Sequence, residues 1–218
     1  FLDIPVSRTL MGQGCLSDRH PLMIGQTGFW GLEFTHSLTT NADVILGLGT
    51  RFGEADSSSW YQGVTFDPDK TTFLQIDIDP MEIGRNYPVE IGAMGDLKIG
   101  LGQILEEVKK LCPEGRNNPE LRARIARAKA DFKQSNAAIS SDSRFPMTPQ
   151  RILKDVKEVI PEDAVIFTDV GWNRMALHRN LTSPFREPFI TLPVLLRWDS
   201  DLPQFLAARL LHGKIVST

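Results

Sequence analysis

The sequence predicts an α/β protein built on parallel strands, and three observations carry this. Val44-Ile45-Leu46-Gly47-Leu48-Gly49, Thr72–Asp79 (TFLQIDID) and Ala164-Val165-Ile166-Phe167 are short, mostly apolar runs. Runs of this kind read as buried parallel strands. Each ends near Gly or Asp, the residues of a tight turn. Helical patterns separate them, and strands alternating with helices make a parallel sheet.

Composition narrows the class. The 218 residues suit one large or two small domains, and 41% hydrophobic content is enough for a core. The net charge of −3 points to neither nucleic acid nor an anionic membrane surface. No apolar run reaches membrane-spanning length. Cys15 and Cys112 lie far apart with no metal spacing, as free thiols of a reducing, cytoplasmic setting would. The chain opens at Phe1 without Met, inside what reads as a strand (Ile4–Ser7), so a longer protein is expected.

Residues 1–31 are rich in Gly and turn signals. Leu32–Asn41 can form a short helix before the strand Val44–Gly49. Ser57–Lys70 reads as a polar loop packed down by Trp60 and Tyr61. The strand Thr72–Asp79 ends in two acidic residues, which could accept hydrogen bonds from a ribose or simply cap the next turn. Val89–Met94 is a further strand. Asp96 is a fitting N-cap for a helix Leu97–Leu111, with Ile99, Leu101, Ile104, Leu105 and Val108 as its apolar stripe.

Pro113–Arg144 changes character. Glu120–Lys133 reads as a solvated linking helix whose charges need no partner. Thr148, with Pro149 behind it, caps a second α/β unit. Its helix should bury Ile152, Leu153, Val156, Val159 and Ile160. The strand of Asp163–Asn173 (DAVIFTDVGWN) follows. His20, His36 and His178 have no carboxylate or cysteine at telling spacing and read as structural or surface residues.

In joint order, several motifs resemble the central domain of acetolactate synthase-like, thiamine diphosphate-dependent enzymes. They are Thr9–Gly14, His20-Pro21-Leu22, Gly28–Gly31, Asn41-Ala42-Asp43, Gly49–Phe52, Asp77–Pro80 with Glu82-Ile83-Gly84, and Gly95-Asp96. Phe167–Asn173 resembles the start of that family's diphosphate-binding domain. The resemblance implies a Rossmann-like central domain at 1–112, able in some members to hold FAD or ADP. A linker at 113–145 and the start of the thiamine diphosphate-binding domain at 146–191 would follow.

The family carries over to this chain residue by residue. The resemblance puts Gly28, Phe29, Gly49, Thr50, Arg51, Asp77, Ile78, Asp96 and Leu97 at positions where FAD-binding members contact the flavin nucleotide. It puts Gly171, Trp172 and Asn173 near the thiamine diphosphate. The sequence departs from the FAD-binding pattern at Phe29-Trp30 and at Gly53-Glu54-Ala55, which counts against FAD. It lacks the family's activating glutamate domain and its Gly-Asp-Gly magnesium motif, so no catalytic residue and no metal ligand is expected here.

The expected function is therefore that of a fragment of a carboligase or decarboxylase acting on a 2-oxo acid. The full-length form would use thiamine diphosphate and Mg²⁺ and assemble as a homodimer or homotetramer. A nucleotide-binding module without catalysis and a non-functional truncated product remain open. Past Thr191 the family continues Pro-Gly-Gly-x-Ala-Thr-Met-Gly-Phe-Gly, whereas this chain reads Leu192-Pro193-Val194 and onward. A codon string for Ala-Thr-Met-Gly-Phe-Gly, taken with the base that follows it and read one base out of step, can translate as Leu-Arg-Trp-Asp-Ser-Asp, the residues at Leu196–Asp201. Residues 192–218 are accordingly expected to be an out-of-frame tail, and the DNA around the Thr191 codon decides it.

Overall fold

A computed structural model describes residues 1–159, Gly171, and the backbone of three short strands at Val165–Thr168, Ile190–Thr191 and Ile215–Ser217. Strands β1 (Val6–Arg8), β2 (Met23–Gln26), β3 (Val44–Leu48), β4 (Thr72–Asp77) and β5 (Ile91–Met94) come first, with helices α1 (Glu33–Thr39) and α2 (Leu97–Leu111) among them. Helices α3 (Pro119–Ser140) and α4 (Pro149–Val159) and strands β6 (Val165–Thr168), β7 (Ile190–Thr191) and β8 (Ile215–Ser217) follow. The chain divides into two units, Phe1–Thr9 with Gln26–Glu120, and Leu10–Gly25 with Leu121–Thr218.

In the first unit β3, β4 and β5 form a parallel sheet in that order, as the apolar runs predict. Alternation along the strands puts Ile45, Gly47, Phe73 and Gln75 on one face and Val44, Leu46, Leu48 and Leu74 on the other. The first face carries the core. Phe73, 1% exposed, meets Phe52, Phe66 and Tyr87, and Ile45 and Val89 pack against the cluster. Phe52, Phe66 and Tyr87 come from the connections that flank β4, so the loops themselves fold back to close the sheet.

The other face is less covered. Val44, Leu46, Leu48 and Ile91 are exposed, and so are Ile99, Leu101, Ile104 and Leu105 of the α2 stripe. Both β3 and that stripe read as buried from sequence. The apolar pattern is real, and it is covered only in part: Ile76 is buried on this face, and Leu97 of α2 approaches the turn after β3.

The 57–70 loop is also held differently from expectation. Trp60 and Tyr61 are exposed; the buried anchors are Phe66 and Thr65. The Thr39 hydroxyl donates to Thr65 O at 2.6 Å, and the Ser58 and Thr65 hydroxyls lie 2.7 Å apart. Trp60 contributes through its indole N–H, which donates to Phe52 O at 2.8 Å.

In the second unit Leu10, Leu22, Met23, Ile24, Ile125 and Leu153 are buried. Ile125 sits at 0% exposure in the second turn of α3, and Lys129, one turn on, donates to Asp18 O (3.0 Å) and His20 O (2.9 Å). The expectation of a helix whose charges need no partner is thereby corrected: a lysine can reach carbonyls far away in sequence, which local patterning does not register. α4 is capped as its sequence predicts. Thr148 Oγ1 accepts from Arg151 N at 3.2 Å and itself donates to Ile139 O at 2.9 Å. Its buried face is narrower than expected, since Leu153 is buried while Ile152 and Val159 are exposed; Ile160 lies outside the described residues. β6 is the central strand of a parallel sheet ordered β7-β6-β8. The pairing of Ile215–Ser217 with β6 is not called for by an out-of-frame tail; the remainder of 192–218 lies outside the described residues.

Candidate functional site

The carboxyl ends of β3, β4 and β5 lie side by side, and Gly49, Thr50, Arg51, Asp77, Ile78, Asp96 and Leu97 follow directly from them. Parallel strands put all their carboxyl ends on one edge, the usual ligand-binding edge of such sheets. Gly49 follows β3 with φ +59°. Its N–H donates to Ile76 O at 2.9 Å, extending the ladder by one rung. A Cβ at Gly49 would lie 2.9 Å from Leu97 Cδ1, so the turn after β3 and the start of α2 are in close approach. Gly95 N donates to Asp77 O at 3.0 Å, which ties the end of β5 to the end of β4.

The turn Thr50–Phe52 is held by side chains at each carbonyl. Thr50 O accepts from Gln75 Nε2 (2.9 Å), Arg51 O from Asn86 Nδ2 (2.7 Å) and Phe52 O from Trp60 Nε1 (2.8 Å). Phe52 N–H returns to Thr50 Oγ1 at 3.2 Å. The Arg51 side chain is exposed.

Asp77 is buried, with Oδ1 accepting from Asp79 N at 3.0 Å. Ile78 beside it is 74% exposed. Asp96 caps α2: its Oδ1 accepts from Lys98 N (2.9 Å) and Ile99 N (3.1 Å). Both carboxylates thus spend Oδ1 on the backbone, and among the described residues neither Oδ2 accepts a hydrogen bond.

Gly28 is set by the protein itself. It opens a 3₁₀ turn, Gly28–Trp30, with φ +80°. A Cβ there would overlap the Ala55 carbonyl and lie 2.7 Å from the Asp56 carbonyl carbon. The two departures from the FAD-binding pattern, at Phe29-Trp30 and Gly53-Glu54-Ala55, therefore adjoin one backbone contact. Phe29 is exposed and meets Trp30 edge to face, centroids 5.9 Å apart. Gly171 is exposed, and Trp172 and Asn173 lie outside the described residues.

His36 has an imidazole pushed below its usual range by burial, countered in part by a hydrogen bond to the Gly28 backbone. Among the described residues its Nε2 has no hydrogen-bond partner. No group of three or more His, Cys, Asp or Glu is placed to hold a metal ion among the described residues. Sequence reading missed Gln75 and Asn86, and named Trp60 only as a residue packing the 57–70 loop. The one available signal was an amide inside the otherwise apolar β4.

Residues 1–107 match the family described as "Thiamine pyrophosphate enzyme, central domain", and this part of the chain belongs to that family. Over 184 residues the chain is 31% identical to the probable acetolactate synthase large subunit of Methanococcus aeolicus, a match covering 80% of this chain and 30% of that protein. It is 34% identical over 181 residues to the probable acetolactate synthase large subunit of Methanocaldococcus jannaschii, covering 80% and 29%. A pyruvate oxidase of Lactiplantibacillus plantarum is 25% identical over 209 residues, covering 96% and 33%. The chain thus spans about 30% of the length of the first two relatives. Among the described residues no helix is long and apolar enough to cross a membrane.

Proposed function

We propose that the strand-end site holds an adenine nucleotide, free as ADP or as part of FAD. We further propose that the chain belongs to an enzyme that makes or breaks the carbon–carbon bond beside the carbonyl of a 2-oxo acid. The observation that carries the first reading is the meeting of Gly49–Arg51, Asp77 and Asp96 at one sheet edge. The Asp77 Oδ2 suits a ribose hydroxyl, and the exposed Arg51 guanidinium suits a diphosphate. Support for the second reading comes from relatives named acetolactate synthase and pyruvate oxidase.

Thiamine diphosphate, held with Mg²⁺, would supply the nucleophilic carbon and the electron sink. Gly171, Trp172 and Asn173 are the residues proposed to lie near it. In the first unit, the residues described bind and orient rather than transfer protons. The 218-residue chain alone is accordingly proposed to bind nucleotide without turning over substrate. The active form is proposed to be a cytoplasmic homodimer or homotetramer of the longer protein.

Calorimetric titration of the purified chain with ADP and with FAD tests the site. Binding is expected at a dissociation constant weaker than about 1 μM; no binding of either would end the nucleotide reading. Pyruvate turnover above a no-protein control, with thiamine diphosphate and Mg²⁺ added, would end the reading of an inactive chain.

A further inference from the structure

We infer that Gln75 is the positioning residue of this site, an inference that rests on the strand-end nucleotide reading. Its side chain is 2% exposed. Both Nε2 protons are used, one on Thr50 O and one on Glu82 O, each at 2.9 Å. Its Oε1 accepts the Gly84 N–H, also at 2.9 Å. Two carbonyls demand an NH₂ and one N–H demands an oxygen, so the network fixes the amide's orientation. One side chain thereby ties together the loop after β3 and the turn after β4.

The neighbouring strands make room for this. Gln75 is in register with Gly47 on β3 and Gly92 on β5, and paired residues of adjacent strands share a face. A Cβ at Gly47 would come within 2.7 Å of the Phe52 ring, and one at Gly92 would overlap Ile83. Where side chains would stand on either side of Gln75, the two loops lie down on the sheet instead. Their backbone polar groups are then brought over an apolar surface, and the amide is what satisfies them.

The clasp has a directional effect. In a planar trans peptide the C=O and the next N–H point opposite ways. Drawing Thr50 O onto Gln75 therefore turns the Arg51 N–H away from the amide. The carbonyls of Arg51 and Phe52 have other donors, Asn86 and Trp60. Among the described residues, Gln75 is the side chain that bonds the carbonyl of the peptide between Thr50 and Arg51. A buried glutamine here does not touch ligand; it aims a backbone donor that does.

The test compares ADP affinity in the wild-type chain, in Gln75→Leu and in Thr39→Val. The last removes a buried hydrogen bond to Thr65 O and serves as the stability control. Gln75→Leu is expected to weaken ADP binding about tenfold or more, with Thr39→Val leaving it unchanged. Amide NMR of the wild-type chain adds a reading that survives if Gln75→Leu does not fold. Saturation with ADP should shift both the Arg51 amide and the Gln75 side-chain NH₂ resonances. Equal affinity in a folded Gln75→Leu, or an unmoved Gln75 NH₂ pair in an ADP-saturated wild type, overturns the role of Gln75 and leaves the site standing. Absence of ADP binding to the wild type overturns both.

Discussion

Phe73 and Tyr87 stack face to face, with ring centroids 4.8 Å apart and planes 5° from parallel. Phe52 and Phe66 meet the same pair edge-on, so four aromatic rings form the centre of the first unit. The pair buries a phenol hydroxyl with its ring. Burial pushes the Tyr87 phenol above its ordinary 10.0, with the Ser57 hydroxyl countering in part. At Tyr87 Oη no full hydrogen bond is made among the described residues.

The alkaline behaviour of the fold follows. A raised folded-state value means that the neutral phenol is the form the fold accepts. The stability it contributes is fully present below pH 10.0 and is lost as pH rises through the folded-state value. Tyr87→Phe should keep the stack, remove this alkaline loss and change stability at neutral pH by no more than about 1 kcal/mol. Thermal melts of the two proteins between neutral and strongly alkaline pH check it.

His36 gives the opposite slope at the acid side. Its folded-state value lies below the ordinary 6.5, so the unfolded chain takes up its proton first. Stability is full above pH 6.5 and falls as pH drops below it. Replacing the imidazole by the uncharged amide in His36→Asn should flatten the His36 part of this fall. Denaturant midpoints measured from pH 7.5 to pH 5 in both proteins decide; parallel curves would count against it.

Two glycines of the candidate site separate by what lies over them. Gly28→Ala meets backbone and a left-handed φ of +80° and should cost more than about 2 kcal/mol. Gly49→Ala shares the left-handed φ, +59°, but its new methyl meets only the far end of the Leu97 side chain, and it should cost about 1 kcal/mol. Equal losses in urea melts would contradict the contact assigned to Gly28.

Asp96 has two roles that substitution can part. Asp96→Ala removes the cap on α2 and should cost about 1 kcal/mol. Asp96→Ser keeps a capping oxygen while deleting the carboxylate. If Asp96 also meets the nucleotide, ADP affinity falls in both variants while stability falls mainly in the alanine variant.

The legible parts of the molecule were those written in local spacing. Val44–Leu48 and Thr72–Asp77 are strands because apolar runs of that length have few alternatives, and Asp96 heads α2 because a carboxylate there satisfies two free amides. What the pattern could not convey was sidedness. A run such as Val44-Ile45-Leu46 is apolar on both faces, and nothing in it says that only Ile45 finds the core. Long-range polar contacts were equally silent. Lys129 reaches Asp18 and His20 across more than a hundred residues, and Asn86 reaches Arg51 across 35. The candidate residues at the strand ends were named from family resemblance. Sequence spacing alone left Asp77 divided between ligand and turn, and its Oδ1 does bond the turn at Asp79.

The row Gly47, Gln75, Gly92 also acts during assembly, as an alignment mark for the strands. Sliding β3 by two residues along β4 would preserve which side chains face the core, so hydrophobicity alone discriminates poorly against that error. Such a slip sets Ile45 beside Gln75 in place of Gly47. A branched side chain then occupies the ground on which Phe52 lies, and the amide loses its reach to Thr50 O. Only one alignment seats both loops and answers every hydrogen bond of the glutamine. Mispaired sheets are thereby left with buried, unanswered polar groups, which is a penalty that greasy contacts cannot impose.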